Sequence, residues 1–354
     1  MAVRVMAVRV KAVKAIRTPG GLSVRVDPRA AAVVLLLAAA VLAAGVVLIG
    51  SGDFPISPGE VIATLLGNGA PAQEFIVKDL RLPRVLVGLL VGASLALSGA
   101  IFQSISRNPL GSPDVIGFGQ GATVGALSAI VLFDGGAVAV AGGAVVGGVV
   151  TGVAVYLLAW KRGVHGYRLV LVGIGVAAML TAANHYLLTR ASLVDAGRAT
   201  LWMTGSLDGR DWAQVWPLLG MCAVLVPLVL MYGRPLRMLE MGDDAAYALG
   251  VPVERTRMVL MGSGVVLVAV ATAAAGPIAF VALSAPQLAR RVTRSPGPNL
   301  AAAAVMGAAL LLIADWVATT AFGERQLPVG VVSGVLGGCY LLWLLVTERK
   351  AGRI

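Results

Sequence analysis

The chain has 354 residues, of which 58% are apolar and 13% are charged, and its formal net charge is +11. This balance excludes an ordinary soluble domain and is typical of a polytopic helical membrane protein. A bilayer explains the positive charge if Lys and Arg collect on one side of it, so the charge does not indicate a nucleic-acid partner. The composition therefore predicts an all-α membrane protein with several spans.

The N-terminal residues 1–29 carry seven Lys and Arg and begin with a repeated MAVRV. Neither helical nor alternating spacing sorts these charges onto one face, which favours a basic cytoplasmic tail. The tail resembles the n-region of a signal peptide. However, the apolar run 30–50 is longer than an h-region of ~7–15 residues. A retained first span is favoured over a cleaved signal peptide.

The stretch 81–125 organises the rest of the chain. Arg81 and Arg84 precede an apolar run, 85–105, that is long enough to cross a bilayer of ~30 Å at ~1.5 Å per helical residue. A polar break at 107–114 ends this run, and a second apolar run follows at once. The pattern predicts an outer ledge, a span, a tight turn and another span.

Glycines form strips along the predicted helices. They recur every four residues, at Gly117, Gly121 and Gly125 and in the pairs Gly143/Gly147 and Gly148/Gly152. Because lipid offers no hydrophobic drive for helix association, strips of small residues serve close helix packing in membranes. We therefore expect these helices to pack closely.

Ten transmembrane helices are predicted in all. The spans after the third cover roughly residues 137–160, 169–188, 213–232, two spans within 258–289, 300–322 and 328–346. The run 258–289 is too long for one span, and Gly276-Pro277 interrupts it, since proline removes a helical donor and clashes one turn back.

The distribution of charge predicts the topology. With ten spans, the inner segments hold 21 Lys and Arg and the outer segments hold 7, so both termini are predicted to be cytoplasmic. A single span over 258–289 would place the Arg-rich segment 290–298 outside. A transmembrane domain at 30–348 then contains a cytoplasmic segment, 233–257, and precedes a short cytoplasmic tail, 349–354.

A faint internal echo relates two parts of the chain. Ser98-Gly99-Ala100-Ile101 and Ala275-Gly276-Pro277-Ile278 share a glycine, and a proline follows each glycine ten residues later. Because inverted repeats are common in transporters, this similarity is compatible with two inverted-repeat-like halves, and chance similarity between Ala/Gly-rich helices is the alternative.

Signatures of catalysis and metal binding are lacking in the sequence. No Walker A pattern occurs, nor a Ser/His/Asp or HExxH arrangement, so no catalytic residue and no bound cofactor are predicted. Cys222 and Cys339 lie in apolar runs and are interpreted as packing residues, and the two histidines have no cluster around them. Asp315 is an acid well inside a span, where structural pairing is favoured over a proton relay.

Several motifs occur in order along the chain. They are RLPR (81–84), SGAIFQSISRNPLGSPDVIGFGQGA (98–122), WMTGSL (202–207), GDDAAYALGV (242–251), GPIAFVALSAPQLAR (276–290) and QLPVGVVSGVLGG (326–338). On these motifs the chain resembles the permease subunits of type II ABC importers for iron–siderophores, haem and vitamin B12, the FecCD type. The resemblance covers about residues 30–348.

The resemblance implies a set of partners. Two permease subunits, identical or paralogous, form the channel. Two ATPase subunits bind ATP and magnesium on the cytoplasmic side, and a substrate-binding protein docks on the outside. The permease is then an inner-membrane channel subunit rather than an enzyme, and it binds lipid but no nucleic acid.

The resemblance also implies three sets of site residues. Arg81, Arg84 and Arg325 would dock the binding protein, although the family's third arginine falls at Thr319 here. ATPase coupling would involve Gly242, Asp243, Asp244, Ala246, Leu249 and Gly250. The cytoplasmic gate would consist of Asn108, Leu110, Gly166 and Tyr167.

Other functions remain open from the residues alone. Arg81 and Arg84 are equally compatible with interfacial membrane anchors, which arginine commonly provides. An ion-coupled secondary transporter is the alternative function, with a membrane enzyme a distant third. The cargo is not indicated by the sequence.

Overall fold

A short antiparallel hairpin lies in the N-terminal region. The computed structural model describes residues 14–17, 23–26, 28–52, 54–161, 163, 166–321 and 326–350. Strand β1 (Lys14–Arg17) pairs with strand β2 (Ser23–Val26). The sequence pattern did not predict this hairpin, because a short hairpin depends on cross-strand pairs and needs no one-sided charge pattern. The other residues of the 1–27 stretch lie outside the described part.

The remainder of the described chain is helical. Its helices are α1 (Pro28–Gly50), α2 (Pro58–Leu65), α3 (Pro71–Ser106), α4 (Pro113–Ile116), α5 (Phe118–Phe133), α6 (Ala137–Ala159), α7 (Gly166–Arg190), α8 (Leu193–Met203), α9 (Trp212–Met231), α10 (Gly233–Glu240), α11 (Asp243–Ala248), α12 (Val253–Ala275), α13 (Val281–Thr293), α14 (Leu300–Thr320) and α15 (Val329–Lys350). Within α3, the stretch Phe75–Arg81 is a π-helix.

Several helices are long and apolar enough to cross a membrane. Among the described residues these are seven, namely α1, α3, α6, α7, α9, α12 and α14, while α5 and the Val329–Trp343 part of α15 are shorter apolar helices. The chain is therefore a multi-pass membrane protein, as the composition predicted. The predicted count of ten rests on α13 as a further span, which its 13 residues do not establish.

Helix α3 lies at the centre of the bundle. It packs against α12, α13 and α14, and most of its residues from Val85 to Ile105 are buried. Its backbone meets α14 where a Cβ on Gly92 would overlap the carbonyl oxygen of Gly307. The predicted central role of this stretch in the fold is confirmed.

Two glycine strips join α5 to α6. A Cβ on Gly125 would overlap the Gly143 carbonyl oxygen, and a Cβ on Gly147 would overlap that of Gly121. An adjacent face of α6 packs against α12, where Gly148 meets Ala269. The predicted close packing is thus confirmed, and α6 uses one strip for each neighbour.

We expect Gly143→Ala to destabilise the protein. The new Cβ would lie 2.5 Å from the Gly125 carbonyl oxygen, and overpacking costs about 1–3 kcal/mol. Gly142→Ala is the matched control, because nothing lies within 4 Å of its Cβ position and alanine gains up to about 1 kcal/mol of helix propensity. Thermal unfolding midpoints in detergent compare the two, and equal midpoints would contradict the close contact.

The predicted break at Gly276-Pro277 is present. Helix α12 ends at Ala275, Gly276 has φ +74°, and α13 begins only at Val281. Phe280, in the break, has φ +68°, and its side chain covers Gly337 of α15. At ~1.5 Å per residue α13 is ~20 Å long, which is less than the ~30 Å hydrocarbon core.

Candidate docking, coupling and gate sites

Arg81 ties the start of the α3 span to the loop that follows α1. Its Nη1 donates to the carbonyl of Ile49 at 2.8 Å, and its Nη2 donates to that of Phe54 at 2.9 Å. Both acceptors are backbone oxygens, so the guanidinium fixes this loop while remaining part-exposed. Arg81 thus has a structural task in addition to its predicted role in docking.

Arg84 forms a two-bond ion pair with Asp315 of α14. Arg84 Nε donates to Asp315 Oδ2 at 3.1 Å and Nη2 donates to Oδ1 at 2.9 Å. Asp315 is 2% exposed, whereas the Arg84 side chain is 22% exposed and its Nη1 also reaches Asp208 at 3.4 Å. The predicted structural pairing of Asp315 is confirmed, and its partner is a residue that the sequence assigned to docking.

The third docking arginine has two candidate positions, Thr319 and Arg325. Thr319, which stands where the family has arginine, donates to the backbone carbonyls of Asp315 and Trp316 in its own helix. Arg325 lies outside the described residues. Its predicted role in docking stays a prediction.

The coupling segment is held by an ion-pair cluster. Asp243 Oδ1 accepts from Arg257 Nη2 at 2.9 Å and lies 3.9 Å from Arg107 Nη2. Arg257 is nearly buried, with its side chain 3% exposed, and its Nη1 donates to Glu254 at 2.8 Å. Asp243 therefore connects α11 to α12 and to the residue just before the gate turn.

The remaining coupling residues divide between an inner and an outer face. Ala246 is buried against Leu239, Val251 and Val253, whereas Leu249 is exposed. Gly242 and Gly250 bracket the helix with φ of +114° and +80°, conformations that glycine adopts at little cost. Asp244 is exposed and, in the described part of the chain, forms no ion pair.

The predicted gate residues come together. Asn108 Oδ1 accepts from the backbone N–H of Leu110 at 2.9 Å, which closes the turn through a side-chain cap. Gly166, at the start of α7, lies against this turn, since its Cβ would be 2.6 Å from Ser106 Cα. Tyr167 and Leu110 are both exposed beside it.

Gln103 is a polar centre that the sequence analysis missed. Its Nε2 donates to the Leu283 carbonyl, and its Oε1 accepts from Gln287 at 2.8 Å and from Arg290 at 3.3 Å. Gln287 also donates to the carbonyl of Pro109 in the gate turn. The sequence did contain a signal for this polar centre, namely a glutamine within an apolar run. A buried amide requires hydrogen-bond partners, so such a glutamine indicates polar groups on a neighbouring helix.

A second link joins the end of α3 to α10. Ser104 donates to Glu240 Oε1 at 2.7 Å. Together with the Asp243 cluster, this contact connects the end of α3 and the gate turn to both sides of the coupling helix. The segment 240–243 is thus tied to the end of α3 and to Arg107 by side-chain contacts.

These features define the class of protein: a multi-pass membrane permease in which a short polar helix, α11, is tied by ion pairs to the turn at 107–110. The model of the FecCD transport family matches residues 31–347, and the chain belongs to that family. It is a permease subunit of the ABC importer type and a multi-pass protein of the cytoplasmic membrane.

Relatives with assigned functions cover nearly the whole chain. The ferric enterobactin transport system permease protein FepG of Escherichia coli (strain K12) is 48% identical over 316 residues, 89% of this chain and 96% of FepG. The vitamin B12 import system permease protein BtuC of Escherichia coli O139:H28 (strain E24377A / ETEC) is 34% identical over 86% of this chain and 90% of BtuC.

A solved structure supports the fold. It is described as an inward-facing conformation of a metal-chelate type ABC transporter, and it superimposes with a TM-score of 0.80 at 26% identity. The match covers 90% of this chain and 99% of that chain. The helical arrangement above is therefore similar to that of a solved ABC transporter.

Proposed function

We propose that this chain forms half of the channel of an ATP-driven importer for a ferric siderophore. The observation that carries the substrate class is the 48% identity to FepG, compared with 34% to BtuC, over similar shares of the chain. An organic iron chelate is therefore favoured over cobalamin. A second permease, identical or paralogous, completes the channel.

ATP is bound and hydrolysed with magnesium on a separate pair of ATPase subunits. Exposed apolar side chains support a partner at the coupling end, because apolar surface of this kind is used in protein interactions. They are Met241, Tyr247 and Leu249 around α11, and Leu110 and Tyr167 in the predicted gate. The coupling helix would insert its exposed face into the ATPase, and the Asp243 cluster would transmit the movement to the gate turn.

ATP-dependent iron uptake tests this function. The chain, its partner permease and the ATPase pair, reconstituted in liposomes with the binding protein and a ferric catecholate, should accumulate iron only with ATP inside. Uptake driven by a proton gradient without ATP would favour the ion-coupled alternative. The relatives do not support that alternative, since FepG is named as the permease protein of a transport system and BtuC as the permease protein of an import system.

The full topology has ten spans, with both termini cytoplasmic and two inverted-repeat-like halves. Helix α13 would complete the count together with the extended segment 276–280. We expect a reporter fused within the loop 295–298 to report cytoplasm, because Arg290, Arg291 and Arg294 flank it. A reporter at 207–210 should report the outside, and an external signal at 295–298 would contradict the ten-span topology.

The binding protein docks on the ledge that carries Arg81 and Arg84, through charge-assisted hydrogen bonds from acidic residues. Arg84→Glu is unsuitable as a test, because it would bring a third carboxylate to Asp315 and Asp208. Arg81 is the better probe, because it lies on the same ledge and is not part of the Arg84–Asp315 ion pair.

We expect Arg81→Glu to weaken association with the binding protein, since it reverses a charge that faces acidic residues. The loss is about 1.5–3 kcal/mol if the contact is partly desolvated. Titration of the binding protein onto the transporter in nanodiscs at low salt measures this loss of binding free energy. Arg190→Glu, on α7, is the control. Equal affinity in both variants would leave Arg81 as a membrane anchor and loop clamp.

A further inference from the structure

A large cavity opens between α6 and α9, at the end of the bundle where Arg84 lies. Its volume is about 1020 Å³. It extends along α6 from Ala137 to Val145, which is ~12 Å at ~1.5 Å per residue, and along α9 from Ala213 to Leu218. Pockets for drug-sized ligands measure about 300–1,000 Å³, so this space accommodates a ligand of substantial size.

The polar rim of the cavity contains a guanidinium with unused donors. Arg210 lines the cavity, and its Nε donates to the Ser206 carbonyl at 3.1 Å. Among the described residues its two terminal nitrogens have no hydrogen-bond partner. Burial lowers the pKa of Arg210, an effect that Asp208 and Asp211 oppose. A partly desolvated guanidinium with free donors favours an oxyanion.

The charged neighbours of Arg210 already have partners. Asp208 Oδ1 lies 3.4 Å from Arg84 Nη1, and Asp211 caps α9 by accepting from the backbone N–H of Ala213 at 2.7 Å. Arg198, also on the rim, contacts Asp134 and Asp195. Within the described part of the rim, Arg210 is thus the cation with donors left for a ligand.

The apolar walls and the polar rim of the cavity together indicate one kind of ligand. The walls along α6 and α9 are apolar and lie in helices that meet the membrane criterion, while the rim offers donors for an oxyanion. We propose that the cavity binds a glycerophospholipid, with its phosphate at Arg210 and an acyl chain between α6 and α9. A free phosphate would leave the apolar walls uncovered, and a soluble partner could not follow them into the bilayer. This site does not depend on the transported substrate.

Lipid titration of the delipidated full chain in detergent tests the head-group end. Dioleoylphosphatidylglycerol should raise the thermal midpoint and appear as a bound adduct in native mass spectrometry. Dioleoylglycerol, which lacks the phosphate, and inorganic phosphate, which lacks the chains, should not. Arg210→Gln should weaken the apparent lipid affinity at least tenfold, whereas Arg190→Gln, on α7 outside the cavity, should not. Protection by phosphate alone, or equal affinity in both variants, would overturn the proposal.

A second pair of variants tests the acyl-chain end. Gly142 lines the cavity and has nothing within 4 Å of its Cβ position, so Gly142→Leu places its side chain in the cavity with room at the Cβ atom. Gly220→Leu on α9 has equally open surroundings outside the cavity and gains similar helix propensity. Gly142→Leu should lower lipid retention at least fivefold relative to Gly220→Leu. Equal retention would rule out an acyl chain between α6 and α9.

Discussion

Asp315→Leu is expected to destabilise the folded protein by about 3 kcal/mol, because it leaves the Arg84 guanidinium without its buried partner. Breaking a buried pair costs about 3–5 kcal/mol. The lower end applies here, since Asp208 still faces Arg84 and 22% of the Arg84 side chain reaches solvent. The free energy of unfolding in detergent, from thermal or denaturant titration, measures the loss.

The double variant Arg84→Met/Asp315→Leu is the control for this expectation. Replacing a whole buried ion pair by apolar groups of similar size is often neutral or stabilising, so most of the loss should be recovered. A double variant no more stable than Asp315→Leu alone would show that packing at Asp315, rather than the unpaired charge, determines the effect. The pair also predicts that Arg84 substitutions impair folding before they impair docking.

Asp243→Asn is expected to lower ATP-driven uptake about ten- to hundredfold while the protein still inserts in the membrane. The amide keeps the shape of the side chain but loses its charge toward Arg257 and Arg107. A charge-assisted hydrogen bond contributes about 1.5–3 kcal/mol, and each ~1.4 kcal/mol corresponds to a factor of ten. The ratio of iron imported to ATP hydrolysed measures the coupling.

Asp244→Asn is the matched control, because it changes the same charge on the adjacent residue. Asp244 is exposed, and within the described residues it forms no ion pair. Its variant should transport at close to the normal rate. If Asp243→Asn and Asp244→Asn behave alike, the Asp243 cluster does not couple α11 to the gate turn.

Short-range sequence signals predicted the parts of this fold that depend on residues close together in the sequence. The Gly276-Pro277 break follows from proline, and the contacts of Gly121 and Gly125 follow from helical spacing. The turn at Asn108 and the coupling helix likewise follow from short-range signals. In the break, the turn and the coupling helix, the residues that interact are close together in the sequence. The glycine contacts are recognisable because glycine repeats every four residues along each helix.

Long-range pairs were beyond the sequence because spacing carries no information about them. Arg84 and Asp315 are 231 residues apart, and each was interpreted separately, one as a docking residue and the other as a paired acid. Gln103 reaches Arg290 across 187 residues in the same way. The N-terminal hairpin was missed for a different reason, since its strands have only four residues each and the alternation in β2 is too short to identify a strand.

The shortness of α13 has a consequence for biosynthesis. A helix of 13 residues that ends with Arg290 and Arg291 is too short and too polar to partition into lipid by itself at the translocon. Its stable position depends on packing against both α3 and α14, and α14 is synthesised after it. A released fragment that ends at residue 298 and carries an introduced cysteine in α13 should therefore react with aqueous thiol reagents, and extension of the fragment through residue 320 should protect that cysteine.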